Sequence, residues 1–198
     1  MDPLAAQEYI LAKLKAELPP GRTYHCLEHT LDVYASVIDI AYEEGVEGED
    51  LALLKMAALY HDAGFTEDDT DHELVGCRIV RTSLPDFGFS EEQIERVCHM
   101  IMSTRIPQSP KDRLGQILCD ADLDYLGRND FVRIGNTLFE EFRIYGVLRT
   151  EREWNELQER FLERHRYFTA TNIRLREPVK QQNLSAVRAW LAANPRRA

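Results

Sequence analysis

The stretch LALLKMAALYHDAG, residues 51–64, places apolar side chains on nearly every side of a helical wheel and then ends in a histidine and an aspartate. A helix without a polar face is normally surrounded by other helices, so this stretch predicts the central helix of an all-α domain over residues 50–62. Unpaired charge is costly at the end of such a buried run, and His61 and Asp62 stand there. A hydrogen bond between the two would satisfy them, and so would a divalent cation shared by both.

Outward from this helix the apolar periodicity stays helical. Leu4, Ile10, Leu11, Leu14 and Leu18 recur at helical steps until Pro19-Pro20-Gly21 stops them. A second helix is expected to begin near Tyr24 and to carry His25, His29, Tyr34, Val37, Ile38 and Ala41 toward one side. Beyond the central helix come a helical stretch at 72–84 and a capping box of Ser90 and Gln93 ahead of Ile94, Val97, Cys98 and Ile101. Amphipathic stretches come next at 111–126 and 129–145, then a helix capped by Thr150 and a short helix around 183–193. No internal repeat and no alternating β-branched run interrupts them. The expected fold is all-α, a compact multi-helix domain of roughly eight or nine helices.

A chain of 198 residues fits one domain, 1–198, and its 44% hydrophobic and 29% charged residues are ordinary globular usage. The formal charge of -10 weighs against binding DNA, RNA or anionic membrane, but not against a small phosphorylated ligand in a local pocket. The sequence contains no apolar run of about 20 residues, and its Met1-Asp2-Pro3 start lacks a signal peptide's basic and apolar regions, so a cytoplasmic location is expected. Cys26, Cys77, Cys98 and Cys119 stand singly and read as reduced thiols.

Two further motifs carry chemistry. In YHCLEHTLDVY, His25 and His29 are four apart and would share a helical face, binding one metal or dividing the duties of ligand and acid. In ILCDADLDYLG, Asp122 has Leu118, Cys119, Tyr125 and Leu126 as its i±3 and i±4 neighbours and so falls on the apolar face. Asp120 has mixed neighbours and reads as a solvated carboxylate, the fallback ligand. Two histidines and two aspartates suit one divalent transition metal, Mn, Fe, Co, Ni or Zn, with positions left for water or substrate. His99 and His165 read as structural. Arg22, Arg105, Lys111, Arg113 and Arg128 lie near the motifs and could meet phosphate oxygens.

The order His, adjacent His-Asp, distant Asp resembles the HD superfamily of metal-dependent phosphohydrolases across residues 22–127, with residues 128–198 completing the core. The resemblance implies a metal set of His29, His61, Asp62 and Asp122, and hydrolysis of a small phosphoester such as a nucleotide. YHCLEHTLDVY is also similar to the signature of cyclic-nucleotide phosphodiesterases, which implies His25 as the acid and His29 as the ligand. His72, in HELVGCRIV, falls where binuclear members place a histidine for a second metal or for phosphate; with Arg22 it is the candidate substrate contact. Thr104 stands where such members often carry a further histidine, which favours one metal over two. Phe65 occupies, in HDAGF, the place where many relatives have a lysine. The tail HRYFTATNIR resembles uncharacterised bacterial members. Within the same fold the alternatives are a di-iron oxygenase and a non-catalytic nucleotide-sensing module.

Overall fold

The structure, a computed structural model, describes residues 1–67 and 70–195. Among them are ten α-helices and no strand: α1 Pro3–Glu17, α2 Leu27–Glu43, α3 Gly48–Tyr60, α4 His72–Ser83, α5 Glu91–Ser103, α6 Arg113–Asp122, α7 Phe131–Ile144, α8 Glu151–Arg164, α9 Ala170–Leu175 and α10 Glu177–Ala193. No helix is long and apolar enough to cross a membrane. The all-α expectation holds, with one helix more than the upper count. The extra one is α9, six residues started by the Thr169 side chain, which accepts from the Asn172 N–H at 3.1 Å. So short a helix leaves no periodicity to read.

Helix α3 is central, as its apolar circumference requires: it packs against α1, α2, α4, α5 and α6, and Leu53, Leu54, Met56, Ala57, Ala58, Leu59 and Tyr60 are all buried. Both capping boxes form, Ser90 with Gln93 and Thr150 with Glu153. Helix α2 starts at Leu27, later than the pattern suggests, because Glu141 on α7 takes the backbone N–H groups of Tyr24 and His25 at 2.8 and 3.0 Å and holds them outside the helix. His25 and His29 therefore do not share a helical face. Helix α6 ends at Asp122, earlier than expected, and a 3₁₀ turn over Asp124–Gly127 leads to α7.

The apolar side chains form two clusters. The larger one joins α1 to α6. A smaller one gathers Tyr24, Leu123, Tyr125, Leu126, Phe131, Leu162, Leu184 and Val187. The ends of α3 and α6 and the start of α2 meet at the seam between them, which is where the candidate ligands lie.

Buried polar groups fasten the second region. Lys180 is completely buried and donates to the His165 carbonyl at 2.8 Å and to Glu177 at 2.8 Å. Burial first, and the Lys180 charge second, push His165 down to about 4. An imidazole depressed on folding contributes stability that is present above its unfolded value of 6.5 and is lost as pH falls toward 4. Melting between pH 6.5 and 4 should therefore fall more steeply for the native chain than for His165→Gln, by on the order of 2–3 kcal/mol at the acid end. Parallel curves would remove His165 from the acid response.

Gly64 lets the turn after His61-Asp62 lie directly on α4, since a Cβ there would stand 1.9 Å from the His72 backbone oxygen. Gly64→Ala should cost about 3 kcal/mol by forcing the two backbones apart, lowering the melting temperature by roughly 6–12 °C. An unchanged melting temperature would show that this approach is not enforced.

Candidate metal centre

Three helices each bring donors to the seam. His29 lies in the first turn of α2, His61 and Asp62 come directly after the last turn of α3, and Asp122 ends α6. His29 Nε2 is 3.4 Å from His61 Nε2, 3.5 Å from Asp62 Oδ2 and 3.4 Å from Asp122 Oδ1. His61 Nε2 is 3.2 Å from Asp62 Oδ2 and 3.7 Å from Asp122 Oδ1. Donors about 2.1 Å from one ion stand about 3.0 Å apart along an octahedral edge and about 3.4 Å along a tetrahedral one. The observed spacings span those values, and one donor atom each from His29, His61 and Asp122 lies within 4.8 Å of the others.

Hydrogen bonding points the same way. His61 Nδ1 donates to the Ala58 carbonyl at 2.8 Å, so the neutral ring has a bare Nε2 facing the cluster. Asp62 Oδ2 is buried and accepts no hydrogen bond. A buried carboxylate oxygen left so, opposite two imidazole nitrogens, has the environment of a metal ligand. Gln108 Nε2 reaches the outer oxygen of Asp122 at 3.4 Å and Tyr24 lies against the His29 ring, centroids 4.5 Å apart. Without a cation, burial opposes charge on His61, but Asp62 and then Asp122 outweigh it and push the imidazole up to about 9. Burial likewise opposes ionisation of Asp62, and the facing His61 overrides it and holds that carboxyl well below the usual range. The residues present fit a divalent cation.

Beside this cluster is a second device that the motif reading missed. His25 Nδ1 meets Glu141 Oε1 at 2.6 Å, and Arg22 donates to the same oxygen at 2.9 Å. Burial raises Glu141, but its bonds to His25 outweigh this and hold it down to about 2. The Arg22 guanidinium also lies over the rings of Phe65 and Tyr145, 4.4 and 4.1 Å from their centroids. Glu141 carries a signal in the sequence: Thr137, Leu138, Ile144 and Tyr145 are its i±3 and i±4 neighbours, a largely apolar surrounding of the kind that singled out Asp122.

A cavity of about 300 Å³ opens on the cluster. His25, Asp62, His72 and Asp122 line its polar side, and Leu138, Phe142, Trp154, Leu157 and Phe161 its apolar side. His72 Nε2 lies 3.6 Å from Asp62 Oδ1, its ring stacks on Phe65 at 4.0 Å, and burial lowers its pKa. Asp120 is not solvated: it is fully buried and accepts from Phe168 N, Thr169 N and Thr169 Oγ1 at 2.9, 2.8 and 2.6 Å. Its partners lie some fifty residues downstream, beyond the reach of local spacing. His99 is exposed and pairs with Asp112 at 3.4 Å. Arg105, Arg113 and Arg128 pair with Asp71, Glu44 and Asp32, Lys111 bonds Ser109, and none of these four lines the cavity, nor does Arg22.

A helical protein whose His, His-Asp and Asp converge from three helices belongs to a recognisable class. The model of the HD domain family matches residues 26–124, half of the chain, and the protein belongs to that family. A predicted HD superfamily hydrolase from an uncultured Thermotogales bacterium superposes with a TM-score of 0.63 at 23% identity, covering 94% of this chain and 91% of its own. A protein from Lactobacillus plantarum superposes with a TM-score of 0.67 at 17% identity, covering 97% of each chain. No curated protein matches the sequence.

Breaking a buried ion pair by removing one partner strands the other charge, at about 3–5 kcal/mol. Glu141→Ala should accordingly lower the unfolding free energy in urea by about 3 kcal/mol. Glu141→Gln, which keeps an acceptor for the Tyr24 and His25 N–H groups, should recover part of that loss. A Glu141→Gln variant as unstable as Glu141→Ala would show that the cost lies in the lost charge and not in the lost acceptor.

Proposed function

We propose that this protein is a metal-dependent phosphohydrolase that cleaves a small phosphoester, such as that of a nucleotide, with His29, His61, Asp62 and Asp122 as ligands of one divalent transition metal. The observation that carries this reading is the convergence of two imidazole Nε2 atoms and two carboxylates at ligand spacing, one carboxylate oxygen being buried without a hydrogen bond. A bound cation would supply a Lewis acid for the phosphoryl oxygen and a water acidified toward neutrality.

The remaining work falls to the chain's own side chains. His25 borders the cavity with its Nδ1 proton fixed on Glu141, which leaves Nε2 to protonate the leaving oxygen. Glu141 stays ionised and holds the ring in that tautomer. His72, beside Asp62 and in the same cavity, is placed to meet a phosphoryl oxygen, and Arg22 acts through Glu141 and Phe65. The apolar wall excludes water from around the ester.

Elemental analysis of the purified chain should find about one equivalent of Mn, Fe, Co, Ni or Zn, absent from His61→Ala/Asp62→Ala. His25→Ala should keep that metal and lose phosphoester turnover by about 10²–10⁴-fold. No metal after reconstitution would sink the reading, and two irons with oxygen consumption would replace it by an oxygenase.

A further inference from the structure

Helix α8 extends from the metal cavity into a second hollow. Trp154, Leu157, Gln158 and Phe161 line the first, and Leu157, Arg160, Phe161, Arg164 and His165 the second, of about 540 Å³. The steps 157, 160, 161, 164 and 165 are one helical face, so Arg160 and Arg164 stand about one and two turns beyond Leu157, roughly 5 and 10 Å along the axis. Ile106, Leu123, Leu157 and Phe161 border both hollows. Gln108 lines the second and donates to Asp122, so one side chain separates it from the metal cluster.

The charges of this hollow are exceptional in the molecule. Every described arginine outside it except Arg149 pairs with a carboxylate. Arg160 and Arg164 make no ion pair among the described residues, and Arg166 donates to the carbonyls of Glu163 and His165 only, at 2.5 and 2.8 Å. The carboxylates of α8 that could have neutralised them are taken: Arg188 holds Glu159 and Glu163, and Arg152 holds Glu156. His165, nine-tenths buried, also lines the hollow. Lys180, which can only donate, lies 3.4 Å from its Nδ1, so the neutral ring carries its proton on Nε2, and that atom is buried without a partner. Two unpaired guanidiniums and a third bonded only to carbonyls line one hollow on a chain of net charge -10, a local concentration of positive charge suited to an anion.

Resting on the hydrolase reading, we propose that the substrate carries two anionic groups: a phosphoester at the metal cavity and a second phosphate held by Arg160, Arg164 and Arg166, with an apolar body lying across Ile106, Leu157 and Phe161. The four shared residues and the Gln108 link make the two hollows parts of one site.

Calorimetric titration of the full chain with inorganic phosphate tests the lobe without requiring metal or turnover. The metal-free native protein should bind phosphate, and Arg160→Gln/Arg164→Gln should weaken this by about 10–100-fold, the loss of charge-assisted hydrogen bonds. Superimposable titrations would overturn the proposal even if the metal reading stands, and phosphate binding without metal-dependent hydrolysis would separate failure of that reading from failure of the lobe. Kinetics on adenosine 3′,5′-bisphosphate and adenosine 5′-monophosphate test the substrate assignment. The native enzyme should prefer the bisphosphate, and the double variant should lower the ratio of the two kcat/KM values by about 10–100-fold, chiefly through KM for the bisphosphate. An unchanged ratio would assign the lobe to a free anion and overturn its role in the substrate.

Discussion

Two carboxylates and two imidazoles are held within hydrogen-bonding distance or little more, at a point where two apolar clusters meet. Asp62 and Asp122 repel each other there and desolvation penalises both, so that without a cation the cluster favours a proton on His61. Such an arrangement persists only if the scaffold overdetermines it. Helix α3, buried on all sides, fixes His61 and Asp62, while α2 and α6 pack on it and on each other to bring His29 and Asp122 to the same point. A divalent cation would turn this strain into coordination, and the donor spacing, the Nδ1 bond of His61 and the unbonded Asp62 oxygen are all compatible with one.

The matched family region ends at residue 124, and the helices beyond it give the site its character. Helix α7 supplies Glu141, which orients His25 and anchors Arg22. The segment after α8 clamps Asp120, so the far end of the chain is tied to the helix that carries Asp122. Helices α7 and α8 build the apolar wall, and the far end of α8 carries the uncommitted arginines. The matched region thus carries the candidate metal ligands, whereas the C-terminal helices line the cavity beside them.

How much of this was legible depends on the range of the interactions. The central helix was readable because burial on every side leaves a direct mark, an apolar circumference, and Asp122 because its helical neighbours are apolar. The wrong surroundings for Asp120 and the early start expected for α2 share one cause. In each case hydrogen bonds from residues remote in sequence, Thr169 for the carboxylate and Glu141 for the backbone of Tyr24 and His25, override what local spacing suggests. Glu141 lay within reach of the same neighbour rule but outside any motif. The two roles of α8, wall and anion lobe, depend on which arginines find carboxylates, a matter of tertiary packing that no spacing encodes.

Phe65 shapes how the site distributes its charge. In place of the lysine that the sequence resemblance leads one to expect, this chain sets a ring between His25 and His72, with centroids 4.4 and 4.0 Å away, and lays the Arg22 guanidinium on it. A lysine there would bring a full charge against Arg22. The aromatic ring instead packs both histidines in place and keeps Arg22 committed to Glu141, so the arginine supports His25 and does not border the cavity. The polar side of the metal cavity then holds no lysine or arginine. On the proposed reading, attraction for a multiply charged phosphate would come from the cation and from elsewhere in the pocket, and α8 presents its unpaired arginines one to two turns away. Placing cations remote from the reacting phosphorus favours binding of a substrate's distal group, which is how a general phosphoryl-transfer centre acquires selectivity without altering its chemistry.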